Sequence, residues 1–284
     1  MTSLSGLETP GDGYSEVSIL HTNDLHFAFP HLKTVQAFVQ NFRAKNRDVF
    51  LFHAGDIFNQ HPRQWPGGDL EGYERQARFM VEKMNELGFD AAALGNNELG
   101  YHGFVTRDVL RQAKFPLLSA NVRLDTGHLD HPEPYVVFKT SRGHQLGVLG
   151  LTGGDNLPET VTLSDPSTTV EAFRLIEEQS DLWILLTHIG LEEDLPLARK
   201  FGDRVDVIIG GHSHTRVDPA VLENGVLIAQ TGGRMADWDS THPFELGVIR
   251  LVLDENGKIS EKSGQVLLLD QEGVHNSRGN QSLG

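Results

Sequence analysis

Nine short apolar runs punctuate this chain, at residues 17–20, 49–52, 91–94, 117–118, 135–138, 148–151, 182–186, 205–209 and 226–229, most of them bounded by Gly, Asp or Asn. Runs so brief and so rich in Val, Ile and Leu have the length of buried strands rather than of helices. Helical periodicity lies between several of them. Residues 71–87 place Tyr73, Ala77, Met80, Val81, Met84 and Leu87 on one face, and Gly88 supplies the stop. Shorter stretches of the same kind cover 32–42, 106–113 and 170–178. This alternation predicts an α/β sandwich with largely buried sheets. Further on, 247–253, the turn Asp254-Glu255-Asn256-Gly257 and 265–269 read as a hairpin. One body is expected over 17–270, between a flexible polar segment at 1–16 and a loose polar tail at 271–284, with no internal repeat and no linker.

The residues just after the runs carry the chemistry. Residues 17–20 lead into His21-Thr22-Asn23-Asp24-Leu25-His26, and 49–52 into His53-Ala54-Gly55-Asp56. Residues 91–94 lead into Gly95-Asn96-Asn97-Glu98, 182–186 into Thr187-His188, and 205–209 into Gly210-Gly211-His212-Ser213-His214. In parallel α/β sheets ligands gather at the carboxyl ends of strands, so five such ends carrying Asp, His and Asn are expected to converge on one pocket.

Composition narrows what that pocket binds. The 284 residues carry a net charge of −15, which argues against a broad nucleic-acid face. Cys is absent, which removes thiolate metal sites and a Cys nucleophile. No segment reaches the ~18–20 apolar residues needed to span a bilayer, and the N-terminus lacks the basic start and apolar run of a signal peptide. The expectation is a soluble, cytoplasmic protein without a membrane partner.

Asp24 and His26 sit two apart, as do His212 and His214, so in extended backbone each pair would project to one side. Carboxylate, imidazole and amide oxygen without thiolate suit a divalent ion such as Mn, Fe, Zn or Co. A lone carboxylate such as Asp56 can bridge two ions roughly 3.5–4 Å apart. Paired cations would make the pocket positive inside an acidic protein and admit an anionic substrate.

In chain order, Asp24-x-His26, Gly55-Asp56, Gly95-Asn96, His188 and Gly211-His212-x-His214 resemble the motifs of the calcineurin-like metallophosphoesterases. His21-Thr22-Asn23 and Ser119-Ala120-Asn121 resemble the 5′-nucleotidase branch, and the likeness spans about residues 17–255. The resemblance implies a four-layer α-β-β-α sandwich of two mixed sheets. It implies one ion on Asp24, His26, Asp56 and His214, and a second on Asp56, Asn96, His188 and His212, Mn being the foremost choice. It further implies a small phosphorylated substrate, with nucleotides among the options, and in-line attack on phosphorus by a hydroxide bridging the metals.

Two departures matter. The family usually reads Gly-Asn-His-Asp/Glu, with that His protonating the leaving oxygen and a downstream Asp orienting it; here the two positions are Asn97 and Gly100. Loss of both partners points to a natural subfamily. General acid help is worth ~10²–10⁴ in rate. His102 is the candidate replacement, with a metal-bound water as its rival. The alternative is a metal-binding relative with weak or no catalysis, against which the full ligand set argues. A nuclease would require a basic, aromatic groove. The second departure is length: 5′-nucleotidase relatives commonly carry a C-terminal domain whose aromatics stack on the base, and the chain ends before one. Aryl phosphates, phosphodiesters or anhydrides are therefore expected to be better substrates than alkyl monoesters such as AMP.

Other residues have quieter readings. His53 is expected to pack or hydrogen-bond behind the ligands. Asn23 and Asn121 either touch substrate or orient ligands, or serve turns, and Asn121 is carried forward as a candidate substrate contact. Arg63, Arg216 and Arg234 are better read as surface residues than as phosphate clamps. The stretch 60–72, with Trp65, is a substrate lid or a plain connection.

Overall fold

The computed structural model describes residues 13–59, 70–100, 103–125, 132–155, 157–233 and 241–276. Each of the nine apolar runs folds into a strand. The chain begins with β1 (Ser15–Thr22), α1 (Leu32–Lys45), β2 (Asp48–Ala54), α2 (Leu70–Leu87) and β3 (Ala91–Ala93). Next come α3 (Asn96–Leu99), α4 (Gly103–Leu110), β4 (Leu117–Leu118), β5 (Val122–Leu124), β6 (Tyr135–Lys139) and β7 (Gln145–Thr152). They are followed by β8 (Val161–Leu163), α5 (Pro166–Ala172), α6 (Arg174–Glu177), β9 (Leu182–His188), α7 (Leu191–Phe201) and β10 (Val207–Ile209). The last strands are β11 (Val217–Glu223), β12 (Val226–Gln230), β13 (Phe244–Leu253), β14 (Ile259–Asp270) and β15 (Gly273–Asn276).

Two mixed sheets result. One has the order β15-β14-β13-β1-β2-β3-β4 and the other β11-β12-β10-β9-β7-β6, while β5 and β8 pair apart. Strands β1, β2, β3 and β4 are parallel, as are β7, β9, β10 and β12. Parallel pairing puts their carboxyl ends side by side.

The strands read as continuous apolar runs because both faces are covered. Val17, Ile19, Phe50 and Phe52 of the first sheet pack against Val148, Ile184, Val207 and Ile209 of the second. On the outer side of the first sheet, Leu20 and Leu51 meet Val35 and Val39 of α1 and Met80 and Met84 of α2. On the outer side of the second, Leu149, Leu185 and Ile208 meet Val170 of α5 and Leu197 and Phe201 of α7. The layers are thus α-β-β-α, and each fully buried Leu, Ile or Val contributes about 1.5–3 kcal/mol.

The structure corrects both boundaries of the expected body. Ser15 and Glu16 already belong to β1, and Glu16 accepts from Arg250 Nε at 2.7 Å. Residues 271–276 are no loose tail: Asp270 Oδ1 accepts from the backbone N–H of Glu272 and Gly273 and turns the chain into β15, antiparallel to β14. That strand is polar because it is a sheet edge, with His275 and Asn276 exposed. The helix read over 170–178 is two helices, and its start moves to Pro166 because Asp165 caps Thr168 N–H at 2.7 Å. Among the described residues no helix is long and apolar enough to cross a membrane.

Candidate metal centre

The loops after β1, β2, β3, β9 and β10 meet at one end of the sandwich, but not through the extended backbone that the two-residue spacing suggested. Asp24, His26, Asp56, His212 and His214 have φ of 51°, 45°, 59°, 77° and 50°. Left-handed backbone is costly for residues with a Cβ, so the surroundings must hold it. Backbone hydrogen bonds do so: Asp24 N–H donates to Gly55 O at 2.9 Å, His26 N–H to Asp56 O at 3.2 Å and Phe27 N–H to Ile57 O at 3.0 Å. The first two loops therefore run zipped together. Gly55, itself at φ 83°, lies against a ligand; a Cβ there would sit 2.5 Å from His188 Nδ1.

The side chains close into two groups. His26 Nε2 and His214 Nε2 lie 3.6 and 3.4 Å from Asp24 Oδ1, and the two rings stack at 5.1 Å. His188 Nε2 lies 3.3 Å from Asp56 Oδ1, and His26 Nε2 lies 4.0 Å from Asp56 Oδ2. Asp56 thus stands between the groups, one oxygen toward each. Ligand atoms of Asp24, His26 and His214, and of Asp24, Asp56 and His188, fall within 4.8 Å of one another. The His212 ring sits 5.1 Å from that of His188.

The donor set fits divalent cations. Asp24 Oδ1, Asn96 Oδ1 and His188 Nε2 are buried polar atoms without a hydrogen-bond partner, a costly state that a shared cation relieves. Their opposite ends are all engaged. Asp24 Oδ2 accepts from Asn23 Nδ2 at 2.7 Å and from His212 N–H at 2.9 Å. His188 Nδ1 bonds Ala54 O at 2.7 Å and His26 Nδ1 bonds Phe58 O at 3.1 Å. A carbonyl only accepts, so each Nδ1 carries the proton and each Nε2 lone pair faces inward. The local field asks for positive charge. Burial by itself lowers the His188 pKa, but Asp56 and Asp24 outweigh it and raise it to about 10.

The other residues singled out in the sequence fall around this cluster. Asn121, expected to touch substrate, is buried with both ends of its amide in use. Its Nδ2 donates to Thr152 O at 2.7 Å and to Ser164 O, and its Oδ1 accepts from Thr152 N–H at 2.8 Å. It ties loops together. Asn97, at the catalytic His position, is also buried; its Nδ2 donates to Phe58 O at 2.8 Å and its N–H to Asp56 Oδ1 at 3.0 Å. Arg216 pairs with Glu245, whose Oε2 accepts from Gly232 N–H at 2.7 Å. His53 bonds Thr22 Oγ1 at 2.9 Å, behind the ligands. Asn23 orients Asp24 and fastens to Thr231. His102, Arg63, Trp65 and Arg234 lie outside the described residues.

Two supporting carboxyls escaped the sequence reading. Glu98 accepts from the N–H groups of Asp56, Phe58 and Gly95 at 3.0, 3.0 and 2.8 Å. Asp194 Oδ1 accepts from Thr187 Oγ1 at 2.7 Å, next to His188. In the sequence Glu98 is marked by the acidic position of the Gly-Asn-His-Asp/Glu pattern and by its place three residues after Gly95 at a helix start, whereas nothing separates Asp194 from a surface acid.

Known proteins resemble this chain. A trifunctional nucleotide phosphoesterase protein from Bacillus subtilis is 27% identical over 98% of this chain and 21% of its own length. Human 5′-nucleotidase is 28% identical over 95% of this chain and 52% of its own length. Among solved structures, a 5′-nucleotidase precursor from Thermus thermophilus superposes with a TM-score of 0.74 at 24% identity, covering 92% of this chain and 56% of that one. This chain therefore spans about half, or less, of the length of these relatives. The sequence model of the calcineurin-like phosphoesterase family matches residues 17–216, which run from β1 past His214, and the chain belongs to that family.

Proposed function

We propose that this chain is a dimetal phosphoesterase domain acting on small phosphorylated molecules. The observation that carries the reading is Asp56, one carboxylate with His188 3.3 Å from Oδ1 and His26 4.0 Å from Oδ2. One ion would rest on Asp24, His26, Asp56 and His214, and the other on Asp56, Asn96, His188 and His212. Divalent ions so held supply Lewis acidity toward a phosphoryl group and toward water. The chain's own residues hold that geometry: the Ala54 and Phe58 carbonyls keep His188 and His26 in the ligating tautomer, and Asn23 keeps Asp24 Oδ1 turned inward.

Asn97 cannot deliver a proton to a leaving oxygen. Substrates whose leaving group departs without help are therefore favoured, namely aryl phosphates, phosphodiesters and anhydrides. The relatives' names, nucleotide phosphoesterase and 5′-nucleotidase, make nucleotides the natural class to test. The mixed oxygen and imidazole donors suit Mn²⁺. The test is phosphate release from p-nitrophenyl phosphate, bis-p-nitrophenyl phosphate and AMP by chelator-treated protein, with and without Mn²⁺. Release that needs Mn²⁺ and favours the aryl substrates supports the proposal; AMP turned over as fast as p-nitrophenyl phosphate overturns the leaving-group reading. Two bound Mn²⁺ with no turnover of any substrate would favour a non-catalytic relative, the reading that Asn97 itself suggests.

A further inference from the structure

Asn97 touches three of the residues that the dimetal reading makes ligands. Its N–H donates to Asp56 Oδ1 at 3.0 Å, its Oδ1 accepts from Asn96 Nδ2 at 3.2 Å, and its Nδ2 lies 3.2 Å from His26 Nδ1 while donating to Phe58 O at 2.8 Å. It is 6% exposed, and Asn96 is 7% exposed. Both polar atoms of the Asn97 side chain are thus engaged within the protein.

The bonds have a direction. Phe58 O is a carbonyl and can only accept, so the Asn97 atom facing it must be the amide nitrogen. The other end of that amide, Oδ1, is thereby turned toward Asn96. An acceptor there selects the Asn96 nitrogen as its partner, which leaves Asn96 Oδ1 on the far side. That oxygen is buried and has no hydrogen-bond partner. A reversed Asn96 would offer N–H groups where a cation needs a lone pair. Phe58 O is also the acceptor of His26 Nδ1–H, so one carbonyl sets both the tautomer of His26 and, through Asn97, the orientation of the Asn96 amide.

We infer that Asn97 is a positioning residue: a relay from the Phe58 carbonyl through the Asn97 amide presents Asn96 Oδ1 to the second ion. The inference rests on the dimetal reading above. It implies that the residue in the usual proton-donor position has exchanged catalysis for ligand orientation, and that restoring His there would not restore an acid within an otherwise intact site. The two atoms bonded to Cγ in His are Nδ1 and Cδ2, so an imidazole there has a polar atom toward Phe58 O or toward Asn96 Nδ2 but not toward both.

The relay is testable by Mn²⁺ titration of the chelator-treated chain, read as bound ions and their dissociation constants. Asn97→Leu keeps the shape and the backbone N–H but removes both side-chain bonds. It should weaken the second Mn²⁺ by about 10–100-fold, the usual cost of losing a partner behind a ligand. Asn97→Ala removes the same two side-chain bonds without the bulk of leucine and should show the same loss of about 10–100-fold, which keeps the test decisive if the leucine variant folds poorly. The sharper control is Asn96→Asp, because a carboxylate presents an oxygen whichever way it turns. In that background Asn97→Leu should cost less than about threefold, a non-additivity that a merely structural residue would not show. Equal losses in the two backgrounds, or no loss in either, overturn the relay. Wild-type protein that binds fewer than two Mn²⁺ overturns the dimetal reading and the relay with it, whereas two tightly bound ions that ignore residue 97 overturn the relay alone.

Discussion

Glu98 stands behind the loops that follow β2 and β3, and Asp194 stands beside Thr187 near the end of β9 and Gly210 after β10. Both side chains are fully buried, and in both burial pushes the carboxyl up to about 7, with the Asp56 charge adding to the effect at Glu98. Their partners differ. Glu98 uses both oxygens to grip three backbone N–H groups and so fixes the turn after β2 against the start of α3. Asp194 has the Thr187 hydroxyl on Oδ1 and no hydrogen-bond partner on Oδ2, which lies where a Cβ on Gly210 would come within 2.4 Å. Equal burial has produced a carboxyl gripped at both oxygens on one side and a carboxyl held at a single oxygen on the other. The half built on β2 and β3 is rigidly pinned through three backbone N–H groups, and the half built on β9 and β10 leans on one side-chain hydrogen bond.

The largest effect is expected where the halves meet. Asp56→Asn should lower kcat/KM on p-nitrophenyl phosphate at saturating Mn²⁺ by on the order of 10³-fold, beyond the ~10–100-fold of an outer partner. A loss under tenfold would mean that the halves act independently. Next is Glu98→Gln, which turns an amide NH₂ toward backbone N–H donors. It should cost up to about 3 kcal/mol in urea unfolding with chelator present. A neutral result would remove the rigidity assigned to that side.

The smallest effect sharpens the other side. Because the folded pKa of Asp194 is raised from 3.8 to about 7, its contribution to stability is full below pH 4 and is lost as pH rises through 7. Asp194→Asn removes that slope, so from pH 5 to pH 8 the variant should gain about 2–3 kcal/mol on the wild type in chelator. His21 and His53, kept neutral by burial with pKa values near 3, pull the opposite way in both proteins and drop out of the difference. Parallel pH profiles would show that Asp194 is as fixed as Glu98.

The sequence made the clustered Asp and His residues visible because they come directly after strands that are apolar on both faces, and it made α2 visible because one face of that helix is continuous. Other parts left no such mark. The first turn of α7 is Glu192, Glu193 and Asp194, and Pro196 comes soon after, so its buried Leu197, Ala198 and Phe201 look like fragments of a loop. In β11 exposed Val221 and Leu222 break the alternation, beside a register shift between Val217 and Val221. The roles of Asn97, Asn121, Glu98 and Asp194 depend on which backbone carbonyl or N–H lies opposite, and spacing along the chain does not encode that.

The left-handed backbone at Asp24, His26, Asp56, His212 and His214 has a consequence for anyone who would engineer this domain. At each of these positions glycine would relax the main chain, by roughly 1 kcal/mol or more per residue. Directed evolution for heat resistance alone would therefore drift toward a sturdier scaffold stripped of its chemistry. Selection has to be run with cations present if thermal tolerance and hydrolysis are to improve together.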